Sequence, residues 1–162
     1  MKIFSSATDQ EILNLKTHIE RNLKSSCESD RKLVVDALNV LYTGISNLWL
    51  GSGIDDILKK SLKMFNSVLL IIRKGGDTSR VWNKRDKFIN SRLSAFFCHR
   101  MSSDDLFVLL AAMELGMNTY FLTNDSFMNH RQMLSPAGQS LFDKWVEKRA
   151  VRLYGKDIVV SS

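Results

Sequence analysis

The sequence predicts an α/β fold in which a mostly parallel sheet is covered by helices on both faces. Short apolar segments rich in Val, Leu and Phe alternate with segments of helical periodicity along the 162 residues. These short segments are apolar throughout rather than at every second position, which is typical of strands buried on both faces. A hydrophobic content of 44% and a charged content of 25% are ordinary for a globular domain with a sizeable core.

Four of the apolar segments are predicted to be buried strands, and two later segments are weaker candidates. The four are KLVVDALNVL (32–41), SVLLIIRK (67–74), AFFCH (95–99) and NTYFLTN (118–124), and the later two are AVRLY (150–154) and IVVS (158–161). Each is bounded by polar or glycine-containing turns. No continuous apolar run approaches the ~18 residues of a membrane span, and VLLII (68–72) has the length of a strand, so we expect no membrane partner.

The remaining periodic segments are predicted to be helices. In the first, residues 8–24, the apolar side chains recur at three- and four-residue steps, and Thr8 with Glu11 forms a capping box. Further helices are predicted near 53–65, 81–94, 103–117, 126–134 and 137–148. There is no internal repeat and no sign of a second domain. We therefore predict an N-terminal helix and linker over 1–31, followed by one domain over 32–162.

The net charge and the spacing of the cysteines indicate which kinds of molecule the protein could bind and which cellular redox environment suits it. The net charge of +6 favours polyanions such as RNA or DNA, although a soluble protein with a basic surface would account for it equally well. Cys27 and Cys98 are far apart and form neither a disulfide framework nor a CxxC metal pair. The first residues contain no apolar stretch of secretory type. A reducing compartment is expected.

Acidic residues fall at the ends of the predicted strands. Asp36 lies late in the first strand, Asp125 follows the fourth, and Asp104 with Asp105 follows the third. Because ligands bind at the carboxyl edge of such a sheet, these carboxylates are expected to meet there. Carboxylates held close together repel one another unless a cation lies between them, and oxygen ligands suit Mg²⁺ or Mn²⁺ better than Zn²⁺.

Each acid also has an ordinary structural explanation. Asp104 and Asp105 open a helix, where the helix dipole favours negative charge, and Asp125 suits a turn. Asp36 is harder to explain in this way, because a carboxylate inside LVVDALNVL is costly to bury without a partner. Asn39, three residues later, could position Asp36 or a water molecule.

Several sequence motifs between residues 32 and 153 resemble, in their order and spacing, the motifs of one known protein family. They are VVDALNV, LLIIRK, FFCHRMSSDD, LLAAMELGMNTYFLTND, NHRQML and LFDKWVEKRAV. In order and spacing these motifs resemble the metallonuclease domain of protein-only ribonuclease P, a member of the NYN branch of the PIN-like nucleases, and are most like its animal mitochondrial members. The resemblance implies a three-layer α/β/α sandwich.

The same resemblance implies a metal-dependent endoribonuclease that removes the 5′ leader of precursor tRNA and leaves a 5′-phosphate. Its D-x-x-N motif matches Asp36 with Asn39, its acidic pair matches Asp104 and Asp105, and its Thr-Asn-Asp motif matches Asp125. These four aspartates would be catalytic and would bind Mg²⁺, for which Mn²⁺ could substitute.

One stretch departs from the family pattern. The family has Arg-Asp-His in the short helix after the last acidic motif, whereas this chain has Met128, Asn129 and His130. Any role of the missing arginine and aspartate is therefore in doubt. His130 is expected either to contact substrate or orient a carboxylate, or else to be a cap or core histidine.

The resemblance further implies mitochondrial localisation and cooperation with two partner subunits, a tRNA methyltransferase and a short-chain dehydrogenase. Longer relatives carry pentatricopeptide repeats and a zinc-binding connector. No CxxC precedes residue 32 and no His/Cys pair follows residue 155, so no zinc site is visible in this chain. We expect a catalytic-domain fragment or a short form that depends on partners.

The densest basic segment lies between the second and third predicted strands. Its basic residues include Arg73, Lys74, Arg80, Lys84 and Arg85, which are expected to follow an RNA backbone. A solvated loop and helix face is the alternative. Two other functions remain open: a different NYN endoribonuclease acting on structured mRNA, and a catalytically silent NYN module that binds RNA or protein.

Overall fold

The computed structural model describes residues 9–23, 30–37, 53–73, 92–98, 104–116, 118–123, 127–154 and 157–160. Within this part of the chain there are five helices and six strands. The helices are α1 (Asp9–Asn22), α2 (Gly53–Met64), α3 (Asp104–Leu115), α4 (Met128–Arg131) and α5 (Pro136–Arg149). The strands are β1 (Lys32–Asp36), β2 (Ser67–Arg73), β3 (Leu93–Cys98), β4 (Thr119–Leu122), β5 (Ala150–Tyr154) and β6 (Asp157–Val160).

The six strands form one sheet in the order β3-β2-β1-β4-β5-β6. Every neighbouring pair from β3 to β5 is parallel, and β6 pairs antiparallel with β5 as the edge hairpin. The predicted mostly parallel sheet is thus confirmed. From β1 the chain moves outward through β2 to β3 and then returns to the other side of β1 to form β4. The strand order therefore reverses between β1 and β4, which is where open α/β sheets bind ligands.

Both faces of the sheet are covered, because side chains alternate between the faces along each strand. Leu33 and Val35 of β1 pack with Ile57 and Leu58 of α2 on one face. Val34 packs on the opposite face, in a second core that includes side chains of α1, α3 and α5. Two helical layers with the sheet between them make the predicted α/β/α sandwich.

Helix α3 is the most deeply buried helix on its face. Its sequence, DDLFVLLAAMEL, is apolar around most of its circumference, as expected for a helix covered on more than one side. It packs over β1, β2 and β4 and is itself covered by α1. Gly116, with a φ of 80°, supplies the left-handed residue that follows the helix. The helix therefore runs back across the sheet directly over β1.

Helix α1 belongs to the same packed body as the sheet. Leu15 and Ile19 are buried in the core that contains α3. On the same helix, Nε2 of His18 lies 3.3 Å from the Ser94 hydroxyl of β3, and its ring meets Phe96 edge to face. Partial burial lowers the pKa of His18, so packing of α1 favours the neutral imidazole.

Two boundaries differ from the sequence prediction. The predicted strand 32–41 ends already at Asp36, and Ala37 has helical conformation. The predicted helix 81–94 is wrong at its end, because Leu93 and Ser94 are strand residues that pair with Val68 and Leu69 of β2. Residues 81–91 lie outside the described part of the chain. Burial against β2 outweighs the helical pattern at this position. None of the described helices combines the length and the apolar character that a membrane crossing requires.

Candidate active site

Asp36 is the last residue of the central strand β1, at the point where the strand order reverses. Only 3% of the residue is exposed to solvent. Strand alternation places it with Val34 on the face that α3 covers. A buried carboxylate is stable only when hydrogen bonds or a cation compensate for lost hydration. The position and the burial of Asp36 are those expected of a ligand-binding acid.

Thr123 provides one of these hydrogen bonds. It follows β4 directly, and its Oγ1 donates to Oδ2 of Asp36 over 3.3 Å. The hydroxyl is itself buried, since only 1% of Thr123 is exposed. Leu122 of β4 pairs with Val35 of β1, so Thr123 lies beside Asp36 across the reversal point. The contact fixes which carboxylate oxygen of Asp36 faces β4.

Asp104 and Asp105 open helix α3. Because α3 connects β3 to the parallel strand β4, it begins at the carboxyl edge of the sheet and ends at the amino edge. Its packing over β1 and β4 brings its first turn to the edge where Asp36 lies. The backbone of Asp104 and Asp105 therefore lies at the predicted carboxyl edge of the sheet. Their side chains lie outside the described part of the chain.

Several predicted site residues are not tested by the structure. Asp125, Asn39, Lys74, Arg80, Lys84 and Arg85 lie outside the described residues. Arg73 is the last residue of β2, and so its backbone reaches the same edge, but its side chain is not described. Within the described residues no three His, Cys, Asp or Glu side chains form a group that could hold a metal. Since only one of the four predicted ligands has a described side chain, the metal cluster stays a prediction.

Phe127 anchors the chain where it returns to the body of the protein after β4. It has a left-handed backbone, with φ 55° and ψ 32°, at the start of α4. Its ring is 1% exposed and meets the ring of Phe121 at 5.4 Å and that of Phe142 at 6.5 Å, both edge to face. Such perpendicular contacts are favourable for aromatic pairs. The segment after the Thr-Asn-Asp motif is thus tied to β4 and α5.

His130 is the third residue of α4 and is largely buried, with 9% exposure. Its ring centroid is 6.5 Å from that of Phe127. Of the roles predicted for His130, this packing favours that of a core histidine, whereas contact with RNA would need a more exposed ring.

A groove of about 390 Å³ lies beside β5 and the two last helices. Its floor and walls combine apolar and charged side chains, namely those of Met128, Arg131, Asp143, Val146, Glu147, Ala150 and Arg152. Arg131 donates two hydrogen bonds to Asp143, at 2.8 and 3.0 Å, which join α4 to α5. These bonds lower the pKa of the Asp143 carboxyl. Arg152 lines the same groove, and its guanidinium donates to the main-chain carbonyl of Thr123.

Sequence reasoning missed Thr123 and Arg152 as site residues. Thr123 belongs to the Thr-Asn-Asp motif, and its position directly after an apolar strand was a usable signal. Arg152 gave a weaker signal: a single charged residue in the apolar strand AVRLY. Which carbonyl it would meet depended on the register of β4 with β5, and a single sequence does not determine that register.

A comparison with models of known protein families identifies the family of the chain. The family model for protein-only RNase P matches residues 2–159 of the chain. The match spans nearly the whole sequence and includes every described helix and strand except the last residue of β6. A comparison with curated proteins finds no match. The family consists of RNase P endonucleases, whose substrate is precursor tRNA. The chain therefore belongs to the protein-only RNase P family.

Proposed function

We propose that this chain is the catalytic domain of a Mg²⁺-dependent endoribonuclease that removes the 5′ leader of precursor tRNA. The observation that carries the proposal is the buried Asp36 carboxylate at the reversal of strand order, hydrogen-bonded by Thr123. Family membership supplies the reaction class. Together they support hydrolysis at the carboxyl edge of the sheet, with water attacking the phosphorus and the 5′-phosphate remaining on the mature tRNA.

The proposed metal ligands are Asp36, Asp104, Asp105 and Asp125. Their chemistry fits Mg²⁺, or Mn²⁺ in its place, because hard carboxylate oxygens are the preferred ligands of these ions. Such an ion, when bound, activates water and stabilises charge on the leaving oxygen. Asp36 contributes a rigid oxygen donor, because it ends a central strand and Thr123 holds its Oδ2. Asn39 is proposed to support Asp36 from the following segment.

Binding of the RNA backbone is proposed to use the basic segment that begins at Arg73. The end of β2 lies next to the end of β1 in the sheet, so a chain that follows Arg73 starts beside Asp36. Lys74, Arg80, Lys84 and Arg85 add positive charge within twelve residues of that point. Phosphate contacts of this kind release counterions, so we expect binding to weaken steeply with added salt.

Mitochondrial localisation and assembly with a tRNA methyltransferase subunit and a short-chain dehydrogenase subunit are likewise proposals. They rest on the resemblance of the motifs to the animal mitochondrial members. Mixing the chain with each candidate subunit and measuring cleavage would test the assembly. Stimulation by both subunits together is expected, and equal rates with and without them would contradict it.

The direct test of the function is cleavage of a 5′-labelled precursor tRNA with Mg²⁺, followed by mapping of both product ends. One cut at the mature 5′ end, giving a 5′-phosphate on the tRNA, is the expected result. Cleavage of hairpin mRNA without cleavage of the tRNA leader would favour a different NYN endoribonuclease. A silent binding module would cut neither RNA and would gain no thermal stability from Mg²⁺ or Mn²⁺.

The hydrogen bond between Thr123 and Asp36 leads to a further prediction about activity. Thr123→Val keeps the branched shape and removes the donor, so Asp36 loses a hydrogen bond that orients it. We expect cleavage to slow by roughly 10- to 100-fold, the usual effect of losing a group that orients a metal ligand. Thr123→Ser retains a hydroxyl and should retain most of the activity. Equal activity of the two variants would show that the hydroxyl does not orient Asp36.

A further inference from the structure

The arginine on β5 contacts the end of β4, next to the proposed site. Phe121 pairs with Ala150 and Leu122 with Val151 in the parallel ladder between β4 and β5. One further step of this register brings Arg152 alongside Thr123. There its Nη1 donates to the Thr123 main-chain carbonyl. A guanidinium that reaches the carboxyl end of β4 from the neighbouring strand is thus part of the edge where Asp36 lies.

Thr123 links Arg152 to Asp36. Its carbonyl accepts from Arg152 and its hydroxyl donates to Asp36. Both contacts lie on the face of the sheet covered by α3, because strand alternation places Ala150 and Phe121 on that face. A hydrogen bond from a charged donor is about twice as strong as a neutral one. The position of the Thr123 backbone therefore depends on Arg152, and the direction of the Thr123 hydroxyl depends on that backbone.

We infer that Arg152 is a positioning residue of the proposed nuclease site: through the Thr123 carbonyl it holds the end of β4, and thereby sets the orientation of Asp36 and the starting point of the segment that contains Asp125. The inference rests on the proposed function. Arg152 acts through Thr123 and does not itself bind the metal. Its charge on an otherwise apolar strand is explained by this contact.

Arg152 also lines the groove beside β5, so a direct contact with an RNA phosphate is the competing role. The two roles predict different kinetics. Loss of a positioning contact lowers kcat and the affinity for metal while KM for RNA stays the same. Loss of a phosphate contact raises KM and lowers the salt dependence of binding by about one counterion, with the metal affinity unchanged.

The experiment compares Arg152→Met and Arg152→Lys with the parent chain and with Arg149→Met as the matched control. Arg149 precedes β5, and its guanidinium lies 5.5 Å from the ring centroid of Tyr120, so this control removes the same charge near the amino edge of the sheet. Three readouts are needed: circular dichroism for folding, Mn²⁺ affinity measured without RNA, and kcat and KM for precursor tRNA at two salt concentrations.

We expect Arg152→Met to fold, to bind Mn²⁺ about 10- to 100-fold more weakly, and to lose a similar factor in kcat with KM unchanged. Arg152→Lys, which retains one donor, should recover part of both losses, and it keeps the test decisive if the Met variant does not fold. Higher KM with parental Mn²⁺ affinity, or behaviour equal to that of Arg149→Met, would overturn the inference. A parent that binds Mn²⁺ but cuts no precursor tRNA, either alone or with the two candidate subunits, would refute the proposed function, while the Mn²⁺ affinities would still decide the role of Arg152.

Discussion

Asp36→Asn is expected to abolish cleavage of precursor tRNA while leaving the fold intact. Asparagine has nearly the same volume as aspartate and its amide oxygen can still accept from Thr123, so packing around this buried position is preserved. What is lost is the negative charge of a proposed metal ligand. Metal stabilisation of the transition state amounts to several kcal/mol, so we expect kcat to fall by at least about 1000-fold.

The same substitution should have opposite effects on stability with and without metal. A ligand present at 100 times its Kd stabilises the folded state by about 2.7 kcal/mol, so Mg²⁺ should raise the Tm of the parent by several degrees. Asp36→Asn should lose most of this gain. In EDTA its Tm should equal or exceed that of the parent, because a buried negative charge has been removed from among other predicted acids.

A matched control is available on β6. Asp157→Asn makes the same chemical change at a side chain that is 82% exposed and pairs only weakly with Lys60 at 3.4 Å. It should cleave and respond to Mg²⁺ as the parent does. If Asp36→Asn cleaved as fast as Asp157→Asn, the assignment of the site to the end of β1 would be wrong.

The strands of the sheet were predictable because their signal is local. Segments such as VLLII are apolar at every position, and no amphipathic helix or solvated strand has that pattern. The direction of each strand then followed from the helices between them. For the same reason the carboxyl edge was the expected ligand site, and the structure places Asp36 at that edge, as the last residue of β1 rather than within a longer strand.

What the sequence did not reveal depends on contacts between distant residues. The register of β4 with β5 decides that Arg152 meets the Thr123 carbonyl, and the two residues are 29 positions apart. Likewise, the overlong helix prediction at 81–94 failed because burial of Leu93 and Ser94 against β2 outweighs local helical periodicity. A periodic pattern predicts whether a segment forms a helix or a strand. Strand pairing and burial in the folded protein determine where that helix or strand begins and ends.

The largest stability effect is expected at Phe127. Its ring fills the core between Phe121 of β4 and Phe142 of α5, and removal of a buried phenylalanine ring costs about 3–5 kcal/mol. For a chain of this size, a loss of that order lowers Tm by roughly 10 °C. Thermal unfolding of Phe127→Ala should show this decrease, whereas Leu141→Ala on α5, where the side chain is 69% exposed, should unfold near the parental temperature.

The backbone at Phe127 makes a sharper comparison possible. Its φ of 55° is left-handed, a conformation that costs an L-residue about 1–2 kcal/mol and costs glycine nothing. Phe127→Gly should therefore be about 1 kcal/mol more stable than Phe127→Ala, the reverse of the order found at ordinary positions. An Ala variant more stable than the Gly variant would show that the packing does not impose this backbone.

Phe127 is also expected to affect catalysis, because residues 124–126 lie in the sequence between two anchored residues, Thr123 and Phe127. Thr123 is held by Arg152 and by Asp36 at one end, and Phe127 is packed against Phe121 at the other. Asp125 belongs to this short connection. Loss of either anchor should disturb the backbone next to this proposed ligand, and catalysis tolerates little misplacement of a metal ligand. Well below its Tm, Phe127→Ala should consequently cleave more slowly than Leu141→Ala, and equal rates would restrict the role of Phe127 to stability.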